Sequence, residues 1–156
     1  MANHCIPPSV LWLNRLSLFV IFFWFGALKV FSASPAESLI THLHQLTLQS
    51  VIPIHAFLLT LGLIECAIGV LWLIPGATKV VIIIFTAQMA TTFLPLIILP
   101  RETWHNIMIL SLSGQYILKN IVLVACAFTI YKDCQVSGWS FTKTSFASFF
   151  QLSRHK

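Results

Sequence analysis

Charge is what this chain has least of. Of 156 residues, 9 are Lys or Arg and 4 are Asp or Glu, 8% in all. Soluble domains carry about 25% charged residues. A water-soluble core of this length could not hide side chains that are 58% hydrophobic. A soluble globular fold is therefore excluded, and an integral membrane protein is expected. The 4 cysteines, Cys5, Cys66, Cys126 and Cys134, form no C-x-x-C pair. That excludes a thioredoxin-like motif and a zinc knuckle, and no disulfide framework is expected. There is no Gly-rich phosphate loop, H-x-x-x-H or H-E-x-x-H pair, so metal or haem ligation is not expected. Ser111 and Ser113 have neither a nucleophile elbow nor a nearby His. With no complete catalytic constellation, the chain is not expected to be an enzyme on its own. The net charge of +5 does not imply nucleic acid, because no Lys/Arg cluster interleaves with aromatics. Much of that charge lies in the segment 132–156.

What the chain does have is long apolar runs. A membrane-crossing helix needs about 20 mostly apolar residues. Four stretches qualify, at about 10–31, 52–74, 78–99 and 107–131. The first is a poor signal peptide: no Lys or Arg precedes Arg15, and Pro35 spoils the best cleavage site after Ser34. Pro75-Gly76 closes the second span. The link to the third is so short that the two must be antiparallel neighbours. Pro95 is expected to bend the far end of the third span, since it lacks a backbone donor. Between the first two spans, Ser34-Pro35-Ala36-Glu37 reads as a helix start. Leu39, Ile40, Leu43 and Leu46 follow at helical spacing, opposite His42, Gln45 and Gln49. A short amphipathic helix lying in the interface is expected there. The expected architecture is all-α: an integral membrane four-helix bundle over 1–133, with this interfacial helix between its first two spans. The segment 134–156 reads as a basic, aromatic tail that includes Trp139, Phe141, Phe146, Phe149 and Phe150. Its expected partner is the lipid surface.

Charge orients the bundle. Arg15, Lys79, Lys132, Lys143, Arg154 and Lys156 fall on one side, and Arg101 is alone outside the spans on the other. The positive-inside rule then makes both termini cytoplasmic.

A single carboxylate, Glu65, interrupts the run Val51–Ile74. An ionisable group near mid-bilayer is expensive and is usually paired or functional. Gly62, Glu65, Cys66 and Gly69 share one helix face by i, i+3, i+4 and i+7 spacing. Small residues there admit a neighbouring helix, so Glu65 should point into the bundle. With the spans drawn as above, Glu65 and Lys119 both lie about twelve residues from the outer end, ~18 Å deep at 1.5 Å per residue. A Glu65–Lys119 pair is therefore expected, with Lys29 as second partner. Removing one member would cost on the order of 3–5 kcal/mol. Gln115 shares a face with Lys119, and Gln88 forms a polar stripe with Thr92 and Pro95. Arg15 and Lys29, near the two ends of the first span, are expected to snorkel to opposite interfaces. His42, His44, His55 and His105 map near the outer interface, where hydrogen bonding is their expected role. The Glu65 pair reads either as a structural neutralisation or as part of a ligand or proton site.

Four stretches in this order resemble the DoxX-like family of small four-helix membrane proteins, nearest the reactive-chlorine-resistance branch. Phe25-Gly26-Ala27-Leu28-Lys29 is similar to its Gly-x-x-Lys helix end. Gly62-Leu63-Ile64-Glu65 with Gly69-Val70-Leu71 is similar to its glutamate helix. Arg101-Glu102-Thr103-Trp104 stands where that branch has a Pro-Glu-x-Trp-like loop. Gly114-Gln115-Tyr116-Ile117-Leu118-Lys119-Asn120 is similar to its final Lys-Asp helix, with Asn120 replacing the family's Asp. The resemblance spans about 12–131. It implies a bacterial inner-membrane location and a link to oxidative or thiol-related stress. The expected role is an accessory or ligand-binding component of a redox system, with a quinone-like head near Glu65, Lys29 and Lys119. The alternatives are a proton-coupled transporter acting as a homodimer, and a structural subunit of a larger membrane complex.

Overall fold

A computed structural model of the chain describes residues 6–34, 37–47, 51–106 and 108–136. Of the expected tail over 134–156, residues 134–136 instead continue the last helix; residues 137–156, Cys5, Gln49 and the Pro35-Ala36 part of the helix start lie outside the described residues. The architecture is the expected all-α four-helix bundle. Its long helices are α1 (Pro8–Val30), α3 (Ile54–Trp72), α4 (Thr78–Phe93) and α7 (Leu112–Val136). Between them lie α2 (Glu37–Thr47), the short helices α5 (Pro95–Ile98) and α6 (Pro100–Thr103), and the strands β1 (Trp104–Asn106) and β2 (Ile109–Leu110). Four segments, Pro8–Val30, Ile54–Trp72, Pro75–Ile98 and Leu112–Gln135, are long and apolar enough to cross a membrane. The protein is thus a multi-pass membrane protein. Large apolar side chains cover its outside as well as its inside: Leu13, Trp24, Leu63, Ile83 and Val122 are all exposed. A helix apolar all round belongs in lipid or in a core.

The long helices alternate in direction and contact one another in a ring: α1 with α3, α3 with α4, α4 with α7, and α7 with α1. Their inward faces form one core of Leu18, Phe22, Ile68, Trp72, Val81, Phe85, Met89, Leu123, Ala127 and Ile130. Phe85 holds its centre, with its ring centroid 5.4 Å from that of Phe22 and 5.6 Å from that of Trp72. The tightest pair is α1 with α3, and glycine is the cause. A Cβ on Gly26 would stand 2.7 Å from the Gly62 carbonyl oxygen, and one on Gly62 would stand 2.8 Å from that of Gly26. Gly69 lies as close to the backbone of Phe23. Side chains there would push the two backbones apart.

The ends of α1 follow from its sequence. Pro8 opens the helix, where a missing N–H costs nothing. At the other end Ser32 takes φ 52°. The Ala33 N–H then bonds the Leu28 carbonyl at 2.8 Å and the Ser32 N–H bonds that of Lys29 at 3.2 Å. This is a Schellman closure with serine in the place usually held by glycine. The chain turns through the buried Ser34 into α2. There His44 is buried, its Nε2 2.7 Å from the Ile52 carbonyl oxygen and its ring 5.2 Å from that of Phe57. His42 points the other way, its Nδ1 2.8 Å from Glu102 Oε1. Together they strap α2 across one end of the bundle.

The fourth span departs from the expected 107–131. Ile109 and Leu110 are paired with Trp104–Asn106 in an antiparallel hairpin, so α7 begins only at Leu112. Ser111 caps it: its hydroxyl accepts from the Gly114 N–H at 3.2 Å and donates to the Glu102 carbonyl at 2.6 Å. Gly114 lets α6 press on this first turn, since a Cβ there would meet the Thr103 carbonyl oxygen. The third span breaks as expected near Pro95, which opens α5.

Candidate functional site

The buried stripe on α1 is Arg15, Leu18, Phe22, Gly26 and Lys29. Its spacing of three and four keeps all five on one helix face. Both cations of the first span therefore point into the bundle. The expectation that they snorkel to the interfaces is corrected: Arg15 is 5% exposed and Lys29 8%. Burial of each is compensated by partners. Arg15 Nη1 donates to the Trp72 carbonyl and Nη2 to Thr78 Oγ1, both at 2.9 Å. Nη2 also reaches Cys134 Sγ at 3.7 Å. One guanidinium thus ties α1 to α3, α4 and α7 at what we call the Arg15 end.

Lys29 lies toward the opposite end. Its Nζ is 2.5 Å from Glu65 Oε2. Glu65 sits on the α3 face that carries Gly62 and Gly69, and all three are buried. The glycines bring the α1 and α3 axes close enough for a lysine at the end of α1 to meet this carboxylate. The second carboxylate oxygen, Oε1, accepts from Gln88 Nε2 at 3.1 Å. Gln88 is buried on α4. Three helices thus each send one polar side chain to a single point. Thr91 and Thr92 do not join it, because both hydroxyls bond the Gln88 carbonyl at 2.7 and 2.9 Å. Cys66, beside Glu65, turns its thiol to the Phe23 carbonyl at 3.7 Å.

Of the five residues singled out from the sequence, Glu65, Lys29 and Gln88 come together and Lys119 and Gln115 do not. The expected Glu65–Lys119 pair is absent. Two physical reasons account for this. With α7 starting at Leu112, Lys119 lies only about 10 Å along the helix axis at 1.5 Å per residue, shallower than expected. It also lies about 200° round the helix from the buried Ile117, at 3.6 residues per turn. Lys119 is exposed, its ammonium 5.1 Å from the centre of the Tyr116 ring. Together with Gln115 and Leu118 it lines an open groove of about 320 Å³ on the outer face of α7. Arg15 is the residue that sequence reasoning missed. The signal for it was its heptad spacing to Phe22 and Lys29.

The site can exchange hydrogen bonds with a polar head group. Lys29 and Gln88 offer N–H donors, and a carboxylate has about four lone-pair sites of which two are used here. A carbonyl would accept from the lysine or the amide, and a hydroxyl would donate to the carboxylate. Among the described residues no group of three His, Cys, Asp or Glu is placed to hold a metal ion. His42 and His44 diverge to Glu102 and Ile52, while His55 and His105 are exposed. Comparison of the chain with protein-family models, with curated proteins and with solved structures gives no match.

Proposed function

We propose that the protein is a DoxX-like accessory component of a redox or oxidative-stress system. In this reading it binds the head group of a quinone-like amphiphile at Lys29, Glu65 and Gln88. The observation that carries the reading is the convergence of those three side chains, from three helices, at one buried point. Gln88 satisfies one carboxylate oxygen, and the lone-pair sites left on Glu65 can take a further donor from a ligand. The chemistry also suits both states of such a ligand. An oxidised ring accepts hydrogen bonds from Lys29 and Gln88, and a reduced ring donates to Glu65. The reading further assigns the protein to a bacterial inner membrane with both termini cytoplasmic. Arg15, Lys79 and Lys132 on one side, against Arg101 on the other, support that orientation.

The test is native mass spectrometry of the protein extracted gently from membranes, beside its Glu65→Gln variant. A quinone-sized mass held by the wild type and lost from a folded variant is the expected result. An empty wild type would end the ligand reading and leave the cluster a structural one. A second reading, as a homodimer or as a subunit of a larger membrane complex, draws on Lys119 and Gln115. Both face outward from α7, where a partner would shield a lysine that lipid does not favour. The carrier reading gains less, because these two residues stand apart from Glu65.

A further inference from the structure

A second groove, of about 390 Å³, lies between α4 and α7 and is lined by Lys79, Ile82, Ile83, Tyr131 and Gln135. It is at the Arg15 end, far from the Lys29 cluster. Lys79 is in the first turn of α4, and Tyr131 and Gln135 are in the last turns of α7. Its polar residues therefore sit at the boundary of the apolar spans, and Ile82 and Ile83 lie one turn deeper. The groove opens sideways, with Ile83 71% exposed.

Its walls are fixed from behind. Arg15 binds both Thr78 and Cys134, which immediately precede Lys79 and Gln135 in the chain. One residue further along a helix is about 100° round it, so the residues next to Arg15's partners turn outward into the groove. The bonds of Arg15 go to a carbonyl, a hydroxyl and a thiol. Asp133 is the acidic neighbour. Arg15, Lys79 and Lys132 set against Asp133 leave this end of the bundle positive.

We propose that this groove binds one anionic phospholipid. Its phosphate takes hydrogen bonds from the Lys79 ammonium, the Tyr131 hydroxyl and the Gln135 amide, and an acyl chain lies along Ile82 and Ile83. Lys79 also has a partner within the protein. An ammonium carries three hydrogens, enough for that partner and a phosphate oxygen together. A soluble phosphate would leave Ile82 and Ile83 uncovered. The combination of a cation at the boundary and aliphatic side chains below it matches a lipid with a charged head.

The test is native mass spectrometry of the full chain in detergent, titrated with phosphatidylglycerol, phosphatidylcholine and glycerol 3-phosphate. Phosphatidylglycerol adducts are expected on the wild type, held about fivefold less tightly by Lys79→Gln, since a basic residue near a lipid surface is worth about that factor. Ile83→Trp fills the groove without changing charge and should also lose the adducts. Lys119→Gln, in the other groove, should keep them. Lys79 and Ile83 are exposed, so neither substitution disturbs the core, and circular dichroism checks that each variant is folded. Equal retention of phosphatidylglycerol by wild type and Lys79→Gln would overturn the proposal. So would equal binding of phosphatidylcholine, or displacement of the lipid by glycerol 3-phosphate at the same concentration. A dimer that excludes lipid and dissociates in Ile83→Trp would overturn it too, by making a second copy the occupant.

Discussion

Lys29→Met removes the ammonium and keeps most of the side chain's volume. In the wild type, Lys29 and Glu65 are 8% and 9% exposed and meet at 2.5 Å. The variant leaves a buried carboxylate with a single amide donor, Gln88. Breaking a buried ion pair from one side costs about 3–5 kcal/mol, because the remaining charge is stranded. Gln88 softens this a little, since hydrogen bonds between membrane helices are worth about 0.6–2 kcal/mol. A loss of about 3 kcal/mol is therefore expected for Lys29→Met. Glu65→Gln, which strands the lysine, should lose a similar amount. The double variant Lys29→Met/Glu65→Gln holds no stranded charge. It should be less destabilised than the two single losses added, by at least about 1 kcal/mol of coupling. Lys119→Met is the control: an exposed lysine outside the cluster should lose no more than about 0.5 kcal/mol on substitution. Reversible unfolding in mixed micelles, followed by tryptophan fluorescence, gives all four values. Strict additivity of Lys29→Met and Glu65→Gln would refute the reasoning. So would a Lys119→Met loss as large as that of Lys29→Met.

Two further outcomes follow from the same contacts. Gly62→Val places a side chain against the Gly26 carbonyl and the Lys29 Cβ. Overpacking of this kind costs about 1–3 kcal/mol, and a cysteine cross-link engineered between α1 and α3 should form more slowly in the variant. Arg15→Lys keeps the charge but cannot reach Trp72 and Thr78 with one planar fork. Losing one charge-assisted bond should cost about 1.5–3 kcal/mol, visible as a lower unfolding midpoint than that of Arg15-containing protein in the same detergent.

The spans were legible in the sequence because an apolar run of bilayer length has few other uses. Glu65 was legible too: with glycines at Gly62 and Gly69, its helix face could only be an inner one. What hydropathy does not carry is rotation. An apolar helix gives no contrast between its lipid face and its core face, so the depth of Lys119 looked decisive when its azimuth was not. Depth itself was misjudged through Ile109 and Leu110. They extend the apolar run of α7 but belong to a hairpin, and the Ser111 cap is what ends it. Arg15 was misread for the opposite reason. Its place near a helix end suggested a reach to water, whereas its spacing to Phe22 and Lys29 already put it inside.

The Schellman closure just after Lys29 bears on how the chain is made. Lys29 leaves the ribosome 36 residues ahead of Glu65. At about 5–20 residues per second, the lysine exists for about 2–7 s before its carboxylate has been synthesised. Because α1 stops directly beyond it, Lys29 can wait at the water boundary with α1 already inserted. The strap helix is built during that interval. Only when α3 slides down against Gly26 does the ammonium leave water, and the carboxylate travels in with the same helix. Burial of the lysine and arrival of its carboxylate then become a single paired event.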